Sequence, residues 1–183
     1  MQTPPRPIPE SYWVEPGRFL AGEYPGGFDP QTTRRRMDAF LEAGITAFID
    51  LTQSHEREPY KAILEEQARA YGLNITYQRL AIRDLDTPSR ETMTDILDAI
   101  DSALASGQKV YVHCWGGVGR TGMTVGCYLV RRGRTGEQAL QQIAEWRQDA
   151  PKRIISPHSP ETDEQREFIR SWPRGMDRAN ELA

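Results

Sequence analysis

Apolar residues along this chain fall into short continuous runs that alternate with stretches of helical spacing. The runs predict strands at about 18–21, 45–51, 75–80 and 109–113. The helically spaced stretches predict helices at about 30–43, 59–71, 88–105, 119–132, 135–148 and 160–171. Asp29 and Ser89 stand where N-caps are expected, and Gly44, Gly72 and Gly107 stand where helices end.

The alternation of strands with helices predicts one α/β domain. We expect a central, mostly parallel sheet of about four or five strands with helices on both faces. Residues 18–172 would form this domain. Residues 1–17 contain five prolines and are interpreted as an N-terminal arm, and residues 173–183 as a polar C-terminal tail.

Composition narrows the class of protein. The 183 residues include 23 Lys+Arg and 26 Asp+Glu, a net charge of −3 that does not favour a nucleic-acid partner. No apolar run approaches the ~20 residues that span a bilayer, and the N-terminus lacks the apolar core of a signal peptide. With only two cysteines, Cys114 and Cys127, a disulfide scaffold is not favoured. We expect a cytoplasmic monomer with reduced thiols and no membrane partner.

The chemistry is concentrated in residues 112–122, between the last apolar strand and an apolar helix. Ligands of open α/β sheets bind at the carboxyl ends of strands, and a helix N-terminus there attracts anions. Three glycines, at positions 116, 117 and 119, allow the backbone to curl tightly. The segment therefore predicts a phosphate-binding loop with its own nucleophile.

Four side chains in this segment are candidate catalytic groups. A thiol beside a helix N-terminus and an arginine ionises readily, so Cys114 is the candidate nucleophile. Arg120 has a planar fork that can hold two phosphate oxygens and stabilise the transition state. The Thr121 hydroxyl would stabilise the thiolate or the leaving sulfur, and His113 would hold the loop through a ring hydrogen bond.

The sequence His113-Cys114, five residues, then Arg120-Thr121-Gly122 resembles the signature of the protein tyrosine phosphatase superfamily. The short chain is most similar to its dual-specificity branch. The resemblance implies a phosphatase-type fold, a phosphocysteine intermediate, and no metal or cofactor. It also implies that the loop from Trp115 through Gly116, Gly117, Val118 and Gly119 to Arg120 binds the substrate phosphate.

The resemblance further implies a general acid about thirty residues before the cysteine, on a loop that links a strand to a helix. Asp84 lies 114 − 84 = 30 positions upstream and is the preferred candidate, with Asp86 as the alternative. The family often has proline before the acid, whereas this chain has Arg83.

Substrate and function remain open at this level. The expected substrate is a phosphorylated protein, carrying phosphotyrosine and also phosphoserine or phosphothreonine, or else a small phosphorylated molecule such as an inositol phosphate. A non-catalytic phosphate-binding module and a rhodanese-like sulfurtransferase are the alternatives from other classes. We expect Cys127 to pack in the core and Gln165 to lie on a helix surface.

Overall fold

A computed structural model describes residues 4–175 of the chain. The strands are β1 (Ser11–Glu15), β2 (Phe19–Gly22), β3 (Ile45–Asp50), β4 (Thr76–Arg79) and β5 (Lys109–His113). The helices are α1 (Pro30–Glu42), α2 (Lys61–Ala70), α3 (Arg90–Ala105), α4 (Gly119–Arg131), α5 (Gly136–Trp146) and α6 (Asp163–Arg170). A short 3₁₀ helix covers Pro151–Ile154. Within the described range, no helix is both long enough and apolar enough to span a bilayer.

The five strands form one sheet in the order β1-β2-β5-β3-β4. Strands β2, β5, β3 and β4 run parallel, and β1 is an antiparallel edge strand. The prediction of a single α/β domain with a mostly parallel sheet is confirmed. Gly22 and Asp50 both pair with His113, so the central strands end level with one another. The loops that follow β2, β3 and β5 therefore meet at one edge of the sheet.

Helices cover both faces of the sheet and enclose two apolar clusters. Helices α1 and α2 pack on one face, where Met37, Phe40 and Leu64 are fully buried. Helices α3 to α6 pack on the other face. Residues from Gly119 to Val130 of α4 are all buried, which explains why this helix is apolar on every side.

Strand β1 was not expected, because the prolines around it indicated an arm without regular structure. Tyr12, Trp13 and Val14 are buried, and the indole Nε1 of Trp13 donates to the carbonyl of Pro4 at 2.8 Å. Residues 11–15 of the proposed arm are thus part of the sheet. Of the proposed tail, only residues 173–175 lie within the described part of the chain.

Helices α2, α3 and α6 begin two or three residues later than the sequence predicted, and the 3₁₀ helix was not predicted. Helix α3 starts at Arg90 rather than near residue 88. Helix α2 starts at Lys61 rather than near residue 59. Helix α6 starts at Asp163, because Thr162 and Gln165 form a capping box there. Pro160, where the helix was predicted to begin, therefore lies in the loop before the helix and not in its first turn.

A buried ion pair links the N-terminal segment to the end of α5. A carboxylate oxygen of Glu10 lies 3.5 Å from Nη2 of Arg147, and both side chains are almost fully buried. The other carboxylate oxygen of Glu10 accepts the backbone N–H of Lys152 at 2.8 Å. Glu10 therefore fixes the segment after α5 against β1.

We predict that Glu10→Ala lowers the free energy of unfolding by about 3 kcal/mol, because it leaves the Arg147 charge buried without its partner. Asp163→Ala is the matched control, since its ion pair with Arg166 has an almost fully exposed carboxylate and contributes little to stability. Urea unfolding of the two variants measures the difference. Equal losses for both variants would contradict a stabilising role of the buried pair.

Candidate active site

The loop from Cys114 to Gly119 leaves β5 and enters α4 at the edge where three strand ends meet. Cys114 is 3% exposed and Arg120 is 1% exposed. Both line a pocket of about 230 Å³ that opens to solvent beside Trp115. The structure therefore brings the candidate nucleophile and the candidate phosphate-binding arginine into one cavity.

Two carbonyl groups of this loop are bound by donors outside it. The backbone N–H of Tyr24 donates to the carbonyl of Trp115 at 2.9 Å. The Ser159 hydroxyl donates to the carbonyl of Val118 at 2.7 Å.

Within residues 4–175, no N–H group between Trp115 and Gly119 donates to a protein acceptor. A loop whose N–H groups are free in this way has the polarity that an oxyanion requires.

Gly117 shows why the loop needs glycine. Its φ is +73°, a left-handed conformation that side chains rarely adopt. A Cβ at this position would lie 2.5 Å from the backbone carbon of Gly22. The phosphate-binding loop is thus packed directly against the end of β2.

Arg120 is held by groups from two other connections of the sheet. Its Nη1 and Nη2 donate to the two carboxylate oxygens of Glu56 at 2.7 Å and 2.8 Å. Nη1 also donates to the carbonyl of Ile82 at 3.0 Å. The Nε–H is buried and has no hydrogen-bond partner among the described residues. The guanidinium is therefore fixed in place with one donor unused.

Glu56 is a site residue that the sequence analysis missed. It lies in the loop between β3 and α2, and its side chain is almost completely buried. Burial acts to raise the pKa of Glu56, but the hydrogen bonds from Arg120 outweigh it and lower the pKa below its ordinary value. The available signal was its position shortly after a buried parallel strand, at the edge where ligands of such sheets bind.

His113 lies at the end of β5 and is fully buried. Its Nδ1 is 3.2 Å from the Cys114 carbonyl, which can only accept, so Nδ1 carries the proton. Its Nε2 then accepts from the Tyr60 hydroxyl at 2.7 Å. Burial lowers the pKa of His113, against the opposing charge of Asp50, which favours this neutral form. The ring thus contacts the backbone of the candidate nucleophile.

The structure separates the two candidate acids. Asp84 lines the pocket with Cys114, and its carboxylate lies 2.9 Å from Nη2 of Arg120 while remaining 57% exposed. Asp86 instead accepts the backbone N–H of Thr87 and does not line the pocket. Between them, Leu85 has a φ of +60°, which turns the two carboxylates in different directions. The geometry favours Asp84.

Gln165 contradicts the expectation of a helix-surface residue. It is fully buried at the first turn of α6, where its side-chain amide donates to the carbonyl of Asp86 at 3.2 Å. A Cβ on Gly119 would lie 3.0 Å from its Oε1. Gln165 therefore contacts both the phosphate-binding loop and the loop that carries Asp84. Its helix was predicted, but not the burial of this side chain against the two loops.

Thr121 and Cys127 are both buried in α4. The Thr121 hydroxyl donates to the carbonyl of Gly22 at 3.3 Å, so its predicted role at the sulfur remains a prediction. Burial raises the pKa of Cys127 well above its ordinary value, as expected for a thiol packed in the core. Neither cysteine is in a disulfide.

Comparison with known proteins supports the assignment that the fold and the cavity suggest. A family model described as "Polymorphic toxin system, DSP-PTPase phosphatase" matches residues 25–134, which is more than half of the chain. The mouse protein tyrosine phosphatase domain-containing protein 1 is 32% identical over 114 residues, covering 58% of this chain and 15% of the relative. The mouse dual specificity protein phosphatase CDC14B is 25% identical over 152 residues, covering 79% of this chain and 28% of the relative.

The solved structures are similar in fold. The crystal structure of Tk-PTP in its active form has a TM-score of 0.68 and 24% sequence identity, and covers 90% of this chain and 96% of that one. The curated relatives are much longer, since this chain spans well under half of their length.

The parallel sheet with its cysteine- and arginine-lined loop defines a phosphatase fold of the protein tyrosine phosphatase type. The chain belongs to the DSP-PTPase phosphatase family of polymorphic toxin systems. The predicted resemblance to the dual-specificity branch is confirmed.

We predict that Gly117→Ala weakens tungstate binding at least about tenfold, because the added Cβ displaces the loop from the end of β2. Gly133→Ala is the matched control, since Gly133 also has a positive φ but no atom near the position of the added Cβ. Both variants pay a similar backbone penalty of about 1 kcal/mol. Calorimetric titration with tungstate should separate them, and equal affinities would contradict the packing argument.

Proposed function

We propose that this chain hydrolyses phosphate monoesters, with phosphotyrosine in proteins as its main substrate, through a phosphocysteine intermediate on Cys114. The observation that carries the proposal is the cavity itself. It combines a buried thiol, a fixed guanidinium with an unused buried N–H, and loop N–H groups without protein acceptors. These groups suit a tetrahedral dianion better than any neutral ligand.

In the first step, the Cys114 thiolate attacks phosphorus and forms the S–P bond. The P–O bond to the leaving group breaks, and protonated Asp84 gives its proton to that oxygen. In the second step, water attacks phosphorus and the S–P bond breaks. Asp84 accepts the proton from this water, so inorganic phosphate leaves and both side chains return to their first state.

Arg120 would bind one equatorial oxygen of the phosphate through its free Nε–H and a second through Nη2, in place of the contact with Asp84, and would stabilise their charge in both transition states. Glu56 holds two of its nitrogens through a bidentate contact, so we assign Glu56 as a positioning residue. His113 would position the loop through its contact with the Cys114 carbonyl. Thr121 would assist the sulfur, and the N–H groups of the loop from Trp115 to Gly119 would cradle the phosphate.

Substrate preference rests on the charge around the cavity. The loop between Cys114 and Arg120 contains no lysine or arginine, which favours phosphoamino acids over highly charged inositol phosphates. Lys152 also lines the pocket, where its ammonium lies 2.7 Å from a carboxylate oxygen of Glu23. This cation is the observation that keeps a small polyphosphorylated substrate as the second candidate. One relative, from Arabidopsis thaliana, is named as both a phosphatidylinositol 3,4,5-trisphosphate 3-phosphatase and a protein-tyrosine-phosphatase.

Family membership favours hydrolysis over a non-catalytic phosphate module or a sulfurtransferase. The proposed reaction needs a reduced thiol, which the cytoplasm maintains. We propose that the enzyme acts there as a monomer and without a cofactor.

We predict that the protein hydrolyses p-nitrophenyl phosphate without added metal and that Cys114→Ser abolishes this activity. The serine hydroxyl ionises far less readily than the thiol and cannot form the thiophosphate intermediate. Cys127→Ser is the matched control, because its thiol lies in the core away from the pocket, and it should retain activity. Release of p-nitrophenol measures both variants, and an undiminished rate for Cys114→Ser would exclude Cys114 as the nucleophile.

We predict that Asp84→Asn lowers kcat about 10² to 10³-fold for aryl phosphates with poor leaving groups, and much less for good ones. A general acid acts when it is protonated, so activity normally falls as pH rises past its ionisation. In Asp84→Asn, this fall, which is the basic limb of the plot of kcat against pH, should flatten. Asp86→Asn is the control that should keep the limb. A flattened limb in Asp86→Asn alone would reverse the assignment.

A further inference from the structure

Arg57 lies in the loop between β3 and α2, directly after Glu56, and its guanidinium stands over three aromatic rings. The guanidinium carbon is 5.4 Å from the ring centre of Tyr24, 5.4 Å from that of Trp115 and 5.8 Å from that of Phe28. Such contacts hold a cation in place through the negative faces of the rings. We name the surface formed by Phe28, Arg57 and Trp115 the Arg57 ledge.

The Arg57 ledge is fixed to the phosphate-binding loop. The Tyr24 hydroxyl donates to the carbonyl of Glu58 at 2.7 Å, and the Tyr24 N–H donates to the carbonyl of Trp115 at 2.9 Å. Tyr24 thus ties the backbone next to Arg57 to the loop that contains Cys114. The ledge is therefore attached to the loop that would hold the substrate phosphate.

Arg57 has unused binding capacity. Within residues 4–175, Arg57 forms no ion pair, and none of its N–H groups donates to a protein acceptor. Its planar fork matches a carboxylate or a phosphate. The neighbouring carboxylate of Glu56 is already bound to Arg120, so it does not neutralise Arg57.

The ledge also connects two cavities. Trp115 borders the phosphate pocket of about 230 Å³, and Arg57 and Phe28 border a second pocket of about 490 Å³. Trp115 is 47% exposed and Phe28 is 96% exposed, so both rings present open apolar surface beside Arg57. A substrate whose phosphate lies in the first pocket and extends past Trp115 would reach Arg57.

We infer that Arg57 is a specificity-determining residue that binds a second anionic group of the substrate. The inference rests on the proposed phosphatase function. In a phosphopeptide, the group is the carboxylate of an acidic residue within about two positions of the phosphotyrosine, a reach of about 7 Å. In a small molecule, the same chemistry comes from a second phosphate.

The test measures binding in the Cys114→Ser background, so that it does not depend on turnover. One pair of ligands is a phosphotyrosine peptide flanked by glutamates and the same peptide flanked by glutamines. The other pair is an inositol bisphosphate and an inositol monophosphate. Fluorescence anisotropy gives the peptide affinities, and calorimetry gives the inositol phosphate affinities.

The more anionic ligand of a pair should bind about 3- to 5-fold more tightly, and the advantage should fall as salt is raised. Adding Arg57→Gln should remove this advantage. Arg69→Gln makes the same charge change at an exposed residue of α2 and should preserve it. The pair that shows the effect identifies the source of the second anion.

The inference is overturned if neither pair shows an advantage, or if the advantage survives in Arg57→Gln. Hydrolysis of p-nitrophenyl phosphate by the wild-type protein is measured in parallel. Absence of hydrolysis contradicts the proposed function, whereas hydrolysis without an Arg57-dependent preference contradicts only the role of Arg57.

Discussion

The site depends on the paired hydrogen bonds between Arg120 and Glu56. A guanidinium that is 1% exposed would be costly without a charged partner, and Glu56 supplies one with both oxygens. The contact also fixes the plane of the guanidinium, so the remaining Nε–H has one orientation. Since Glu56 follows β3 and Arg120 follows β5, the pairing of these two strands sets the geometry of the pocket.

The pairing of the central strands also explains why the pocket combines residues that are distant in sequence. Register places Gly22, Asp50 and His113 level with one another, so three connections meet above them. The connection after β5 brings the thiol, the one after β3 brings Glu56 and Arg57, and the one after β2 packs against Gly117. Helix α6 closes the site through Gln165, which contacts the loop that carries Asp84.

Local patterns were sufficient to predict most of the fold and the central part of the site. The apolar runs predicted β2 to β5, and the spacing from Cys114 to Arg120 predicted the loop. Strand β1 was missed because nearby prolines outweighed three buried apolar residues. Glu56 and Gln165 were missed for another reason. Their burial results from packing between distant elements, which hydrophobic periodicity along one helix or loop does not describe.

The position of Asp84 depends on two opposing energies, the backbone penalty at Leu85 and the attraction between Asp84 and Arg120. A left-handed backbone at a leucine costs about 1 kcal/mol, and here it lies next to a carboxylate drawn toward Arg120. That attraction offsets the local penalty. Because a phosphate held by Arg120 would compete with Asp84 for the same guanidinium, the energy that keeps this bend in place would depend on whether the pocket is occupied.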